Sequence, residues 1–285
     1  DDFTLTTVSG SATGTIASVS ASSGDPISVT VNSIAGTGVI RLDLNGSTNI
    51  SDASGNSGPS AFTSGATHTV DRDAPSAPST PDMTAGTDSG SSTTDNLTND
   101  TTPTFSGTAE ANATIELFSS VAGSIATGSA DGSGNWSLTS SSALAQGGHT
   151  ITATAEDAYG NTSPASSGLA ITIDTAAPTV SSITRLSPTA AAINVSQAFV
   201  GFRVTFSEDV AGSDQSDYAF SNASGTVAGS VTSHGTASNS QINVQVGSLS
   251  GEGEFAISIN GGHGITDLAG NALSSTIPTG VTETF

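Results

Sequence analysis

The chain repeats itself. Residues 2–70 align without a gap on residues 217–285, at a constant offset of 215. "DFTLTTVSGSATGTI" (2–16) matches "DYAFSNASGTVAGSV" (217–231), and "ISVTVNSIAGTG" (27–38) matches "INVQVGSLSGEG" (242–253). "LNGSTNISDASGN" (44–56) matches "INGGHGITDLAGN" (259–271). Apolar residues pair with apolar residues, such as Leu42 with Ile257 and Ile16 with Val231. Paired glycines such as Gly36 and Gly251 are expected to hold the same backbone turns. Any fold must therefore accommodate two copies of one unit, with something different between them.

The intervening stretch is built of short strands. "TPTFSGTA", "ATIELFSS", "GNWSLTS", "HTITATAED" and "GLAITID" nearly alternate apolar and polar residues, and the clusters "DGSGN", "AQGG" and "AYGN" separate them. Such runs over about 100 residues suggest a Greek-key sandwich. The whole chain is thus read as all-β, without a helical apolar stripe of useful length. Two linkers, "VDRDAPSAPSTP" (70–81) and "IDTAAP" (173–178), place boundaries near 73 and 174, giving units 1–73, 74–174 and 175–285. The first unit lacks a counterpart of the roughly 40 residues at 175–216, which include the strand "FVGFRVTFSEDV". Either the chain is cut inside a domain, or another chain supplies the absent strands by β-addition.

Charge narrows the function classes. The 285 residues carry 25 acids against four arginines and no lysine, a net charge of −21. Nucleic acid and anionic membranes would be repelled. Most acids have no basic side chain to meet, so they are solvated or hold cations. Cysteine is absent, so disulfides and thiolate sites are ruled out. No signal peptide and no 18-residue apolar run is found, so the sequence is read as a mature or excised fragment without membrane insertion.

The aspartates cluster. Residues 71–100 hold six of the 18, within a loop-rich stretch that includes "TDSGSSTTDNLTND" (87–100). Calcium takes six to eight oxygen ligands from carboxylates, carbonyls and water, which Asp and Asn interleaved with Gly and Ser can supply. Magnesium fits less well, and zinc has neither cysteines nor grouped histidines. In an immunoglobulin-like sandwich the loop between the last two strands lies beside the incoming linker. In the middle unit, Asp157 and Asn161 of "EDAYGN" would then meet Asp71 and Asp73. In the last unit, Asp267 and Asn271 of "TDLAGN" would meet Asp174. Asp88, Asp95 and Asp100 would form a separate site or reach the next junction. The recurring D-x-x-G-N pattern, also at Asp52–Asn56, has a second reading as an ordinary turn, with Asp capping locally and Gly supplying positive φ.

Nothing points to an enzyme. His68, His149, His234 and His263 are dispersed, and no nucleophile elbow or phosphate-cradling loop is present. Glu110 and Glu116 read as solvent-facing residues of the first strands of the middle unit. Trp136 reads as core, with a sugar-stacking role as the weaker reading.

The middle unit, with "TDSGSSTTDNLTNDTTPTFSGTAEANATIELF", "DGSGNWSLT" and "HTITATAEDAYGNTSPAS", resembles the bacterial Ig-like repeats of giant surface adhesins. The flanking units, with "VTFSEDVAGSDQSDYAF" and "GITDLAGNAL", are similar to a second Ig-like repeat type of such proteins. The resemblance implies tandem sandwiches set end to end as an extracellular extender, stiffened by calcium at junctions between neighbouring repeats of one polypeptide. It carries over to the linker aspartates and D-x-x-G-N loops named above, although the second linker lacks the second aspartate of "VDRDAP". Each sandwich would add about 35–40 Å. A filament subunit completed by strand exchange and a carbohydrate-binding module stand as the rival functions.

Overall fold

The computed structural model describes residues 2–20, 26–58, 60–187, 199–274 and 283–284. The described residues form strands and turns, with a single three-residue 3-10 turn, Gln215–Asp217. Among the described residues no helix is long and apolar enough to cross a membrane.

The first unit contains β1 (Phe3–Gly10), β2 (Thr13–Val19), β3 (Val29–Ala35), β4 (Gly38–Leu44) and β5 (Thr67–Val70). They make a three-stranded sheet, β1-β4-β5, and a two-stranded one, β2-β3.

The middle unit follows with β6 (Asp82–Met83), β7 (Leu97–Thr98), β8 (Thr104–Thr108), β9 (Thr114–Ser119), β10 (Gly123–Ser129), β11 (Asn135–Thr139), β12 (Gly147–Glu156) and β13 (Leu169–Ile173). A five-stranded sheet, β10-β9-β12-β13-β7, faces a three-stranded one, β11-β8-β6. Alternation along β9 and β12 sends Ile115, Leu117, Ile151, Ala153 and Ala155 inward, all fully buried. They pack with Phe105, Ile125, Ile171, Ile173 and Trp136. Trp136 is 4% exposed, so its ring is core and offers no platform to a sugar.

The last unit contains β14 (Val180–Ser187), β15 (Phe199–Phe206), β16 (Val210–Ala211), β17 (Tyr218–Gly225), β18 (Ala228–Ser238), β19 (Gln241–Ser250), β20 (Gly253–Ile259), β21 (Thr266–Asp267) and β22 (Glu283–Thr284). The sheet β14-β15-β19-β18 packs on β17-β20-β22, and β16 pairs with β21. Phe202 and Phe255 meet edge to face across the core at 6.2 Å.

The 215-residue offset of the sequence recurs in the pairing. β1 and β4 run from Phe3↔Leu44 to Gly10↔Gly38, with an irregularity between Thr7 and Ser9. β17 and β20 run from Tyr218↔Ile259 to Gly225↔Gly253, with the irregularity between Asn222 and Ser224. β2–β3 and β18–β19 correspond likewise, from Thr13↔Ala35 and Ala228↔Ser250 onward. Gly36 and Gly251 sit at φ +74° and +83°, where an added Cβ would lie 2.3 Å from the carbonyl oxygens of Ser11 and Thr226 respectively.

Candidate metal centres at the two junctions

The D-x-x-G-N loop is first of all a turn. In Asp157–Asn161, Asp157 Oδ1 accepts the amides of Tyr159 (2.8 Å) and Asn161 (2.9 Å), and Oδ2 accepts Asn161 Nδ2 at 2.7 Å. Asp52–Asn56 has the same bonds, with Oδ2 accepting Asn56 Nδ2 at 2.7 Å. In Asp267–Asn271, Asp267 Oδ1 accepts the amides of Gly270 and Asn271 and Oδ2 accepts Asn271 Nδ2 at 2.8 Å. A fourth instance, Asp131–Asn135, packs on the loop 109–113 that lines the first junction, and is built the same way. Gly55, Gly134, Gly160 and Gly270 all have positive φ, from 84° to 100°. These bonds to the ionised form hold the Asp157 carboxyl below its ordinary value, the side chain of Asn161 contributing most.

Two of the four turns do something more. Asn161 Nδ2 also donates to the backbone carbonyl of Asp71 (3.2 Å), and Asn271 Nδ2 donates to that of Asp174 (2.9 Å). The asparagine amide thus ties each incoming linker to the loop. Both linker aspartates make the same local bend, Asp71 Oδ1 accepting the amide of Asp73 and Asp174 Oδ1 accepting that of Ala176, each at 3.0 Å.

At the second junction carboxylates converge. Asp174, Glu208 and Asp267 each place an oxygen within 4.8 Å of the others. Asp267 is 1% exposed. Burial and the charges of Asp174 and Asp267 push the Glu208 carboxyl above its ordinary value. Two ligands of one calcium ion, each at about 2.3–2.6 Å, lie up to about 5 Å apart, so this oxygen set matches a hard cation in spacing and chemistry. Glu208 escaped the sequence reading because it follows β15, far from both partners in the chain.

At the first junction the same three places are acidic, but they are spread. Asp71, Glu110 and Asp157 line a cleft of about 220 Å³ together with Asn112 and Tyr159. Glu110 is off the strands, two residues beyond the end of β8, as Glu208 is two residues beyond the end of β15. Asp73 is exposed and does not line the cleft.

The loop 87–100 reaches the second junction. Ser89 Oγ lies 2.8 Å from the carbonyl of Ala269, and the Ser91 amide donates to the carbonyl of Leu268 at 3.0 Å. Gly90 has φ +96°, and a Cβ there would lie 2.0 Å from the Leu268 oxygen, so only glycine permits this approach. Of the loop's aspartates, Asp100 Oδ1 is engaged by the amide and hydroxyl of Thr102, and Asp95 Oδ1 by the amide of Leu97. Asp88 is 1% exposed and accepts the Asn96 amide at 3.2 Å, while its other oxygen meets no donor among the described residues. Burial, then Asp95 and Asp82, push its carboxyl up. Asp88, Asp95 and Asp100 do not converge as the three acids of the second junction do.

Comparison with known proteins gives two family matches. Residues 74–175 match a family described as a bacterial Ig-like domain, and residues 174–282 match a second family of the same description. No curated protein matches the chain. Among solved structures, the chain is similar to the BSP domain of a biofilm associated protein, at 14% identity and a TM-score of 0.20, over 66% of this chain and 28% of that one. It therefore spans little more than a quarter of that relative's length. It is similar to the D0-D1 domain of intimin at 16% identity and a TM-score of 0.22, over 66% of this chain and 93% of that one. A 1.5-MDa bacterial ice-binding adhesin gives 17% identity and a TM-score of 0.32, over 83% of this chain and 74% of that one.

Proposed function

Because the chain carries two bacterial Ig-like domains in tandem, we propose that it is a structural extender segment of an extracellular cell-surface adhesin, stiffened by calcium at its junctions. The observation that carries the calcium reading is the convergence of Asp174, Glu208 and Asp267 where linker, strand end and turn meet. Three carboxylates with no basic partner among the described residues repel one another, and a divalent cation would cancel that repulsion while tying the linker to the domain. Asp71, Glu110 and Asp157 would serve the first junction in the same way, with Asp73 as an outer ligand. The amide nitrogens of Asn161 and Asn271 are committed as donors, which leaves their Oδ1 atoms for a cation. Asp88, Asp95 and Asp100 would form a weaker, separate cation site. The role is mechanical and not catalytic: the domains hold something distal away from the cell, and their partners are the neighbouring repeats.

Calcium titration of the whole chain tests this, paired with small-angle scattering in excess calcium and in chelator. Binding is expected with dissociation constants of roughly 10⁻⁴–10⁻³ M, the range of extracellular modules. The maximum dimension should shorten on chelation, and a Glu208→Gln, Asp174→Asn double variant should lose the tighter phase. An unchanged scattering profile together with no calcium uptake would remove calcium from the reading and leave direct packing as the source of stiffness.

A further inference from the structure

One buried charge belongs to neither junction. Asp88 Oδ2 accepts the Asn96 amide, while Oδ1, equally sealed from water, meets no donor among the described residues. An ionised oxygen left so is costly. No basic side chain pairs with Asp88 among the described residues. The charges that reach it are like charges, those of Asp95 and Asp82, and both of these residues are exposed. A hard cation is the partner that answers all three acids at once. Asp88 is then the fixed ligand, and Asp95 and Asp82 close on the ion from outside, with water in the remaining positions. Asp100 is spent elsewhere, its Oδ1 taken by Thr102.

Asp88 also sits where the loop 87–100 closes on itself. Thr98 Oγ1 donates to the Thr87 carbonyl at 2.6 Å, and the Asn99 amide donates to Ser89 Oγ at 2.9 Å. Asn96, whose amide Asp88 holds, has φ +60°, a left-handed conformation that Asn and Gly adopt most readily. The residues that follow Asp88 are the ones that dock: Ser89 and Ser91 on the carbonyls of Ala269 and Leu268, with Gly90 between them. That turn carries Asp267, one of the three converging acids of the second junction. Only four residues of loop and three of turn separate the orphaned oxygen from the junction carboxylates.

We infer that a divalent cation held at Asp88, with Asp95 and Asp82, sets the grip of this loop on the last domain, so that it and the ion of the second junction bind cooperatively. The inference rests on the calcium reading of that junction and adds a control on it from within the middle domain. An ion on Asp88 cancels the charge that opposes closing of the loop base. The closed base presents Ser89 and Ser91 to the turn, and the docked turn holds Asp267 toward Asp174 and Glu208. By linkage the effect runs both ways, since an ion at the junction tightens binding at Asp88 by the same factor.

The test is calcium binding to the full chain, with calcium alone as the probe. In a chain whose junction is silenced by Glu208→Gln and Asp174→Asn, adding Asp88→Asn should lower the number of ions bound by one. In the chain with its junction intact, Asp88→Asn should weaken the tighter phase about tenfold, a coupling within the usual range. Asp95→Asn, at an exposed position, guards against an Asp88 variant that misfolds, and should act in the same direction. With Gly90→Val, which breaks the docking, Asp88→Asn should still remove its ion but no longer move the tighter phase. An ion count unchanged by both Asp88→Asn and Asp95→Asn would overturn the site. A tighter phase that the junction variants abolish but these two leave in place would overturn the coupling while the calcium reading of the junction stands. A full chain that takes up no calcium would remove both.

Discussion

The two junctions are built from the same parts and assembled to different degrees. Each has a D-x-x-G-N turn whose asparagine holds the linker carbonyl, and each has acids on the linker, after an early strand and in the turn. At the second, the three carboxylates close to within 4.8 Å, and a loop of the preceding domain packs on the turn, the Ser89 hydroxyl and the Ser91 amide donating to its backbone carbonyls. At the first, the acids line an open cleft, and the Asn161–Asp71 bond is the described hydrogen bond that spans it. The turn is a local device that short sequence suffices to build. Convergence of charge is a tertiary event, and it occurs where a neighbouring loop has docked.

The largest way to break this contrast is Asp267→Ala. It removes a buried carboxylate that accepts three hydrogen bonds, and a cost of about 3 kcal/mol to the last unit is expected in chemical denaturation. Gly90→Val comes next. The added Cβ must displace the Leu268 carbonyl, so the second junction should loosen by about 2 kcal/mol while both flanking domains keep their own transitions. Limited proteolysis within 87–100 would report it, and an uncut loop would mean that the loop docks without that approach. Replacing each asparagine by alanine sharpens the comparison. About 1 kcal/mol is expected for the lost bond to the linker carbonyl in Asn161→Ala and in Asn271→Ala. Only the first change should widen the interdomain distance distribution measured by paired spin labels, because the docked loop still holds the second junction.

The smallest effect is with pH, and its sign differs between the junctions. The folded-state value of Glu208 is raised above the ordinary 4.5, so ionised Glu208 opposes folding at neutral pH. That penalty is relieved as pH falls through the raised value, and vanishes below 4.5 where both states are protonated. Asp157 is depressed below 3.8, so its contribution is present above that pH and is lost only as pH falls through its lower folded value. Without calcium, mild acid should therefore firm the second junction and leave the first unchanged. Thermal scans between pH 7 and pH 5 check this, and Glu208→Gln should flatten the response.

Much of the fold could be read before any coordinates. The gapless match of 2–70 on 217–285 anticipated a shared register because pairing partners and turn glycines are both set along the chain. The D-x-x-G-N motif was legible as a turn, and its recurrence at Asp131, whose Asn135 side chain bonds only its own turn among the described residues, shows that the motif by itself does not tie a linker. Glu110 and Glu208 were not legible as site residues. Each lies just past a strand end, and nothing local says which loops that pole will face. The destination of 87–100 was equally hidden, since Ser89 meets Ala269 across 180 residues through groups every residue of its kind carries. Chemistry written in side-chain patterns can be found in a sequence, whereas contacts that close on backbone carbonyls of another domain leave almost no trace there.

One small feature sets how the middle domain would carry load. β13, its final strand, pairs in parallel with β7, and the amides of Thr172 and Asp174 donate to Asn96 and Thr98 at 2.8 Å. Tension entering at one pole and leaving at the other would pull these two strands past each other along their length. Bonds lying across the direction of pull share the force and fail together, whereas a hairpin pulled from one end opens bond by bond. The middle domain is thus expected to behave as a shear clamp, and stretching single molecules should give it a higher rupture force than the first unit, whose described strands pair antiparallel.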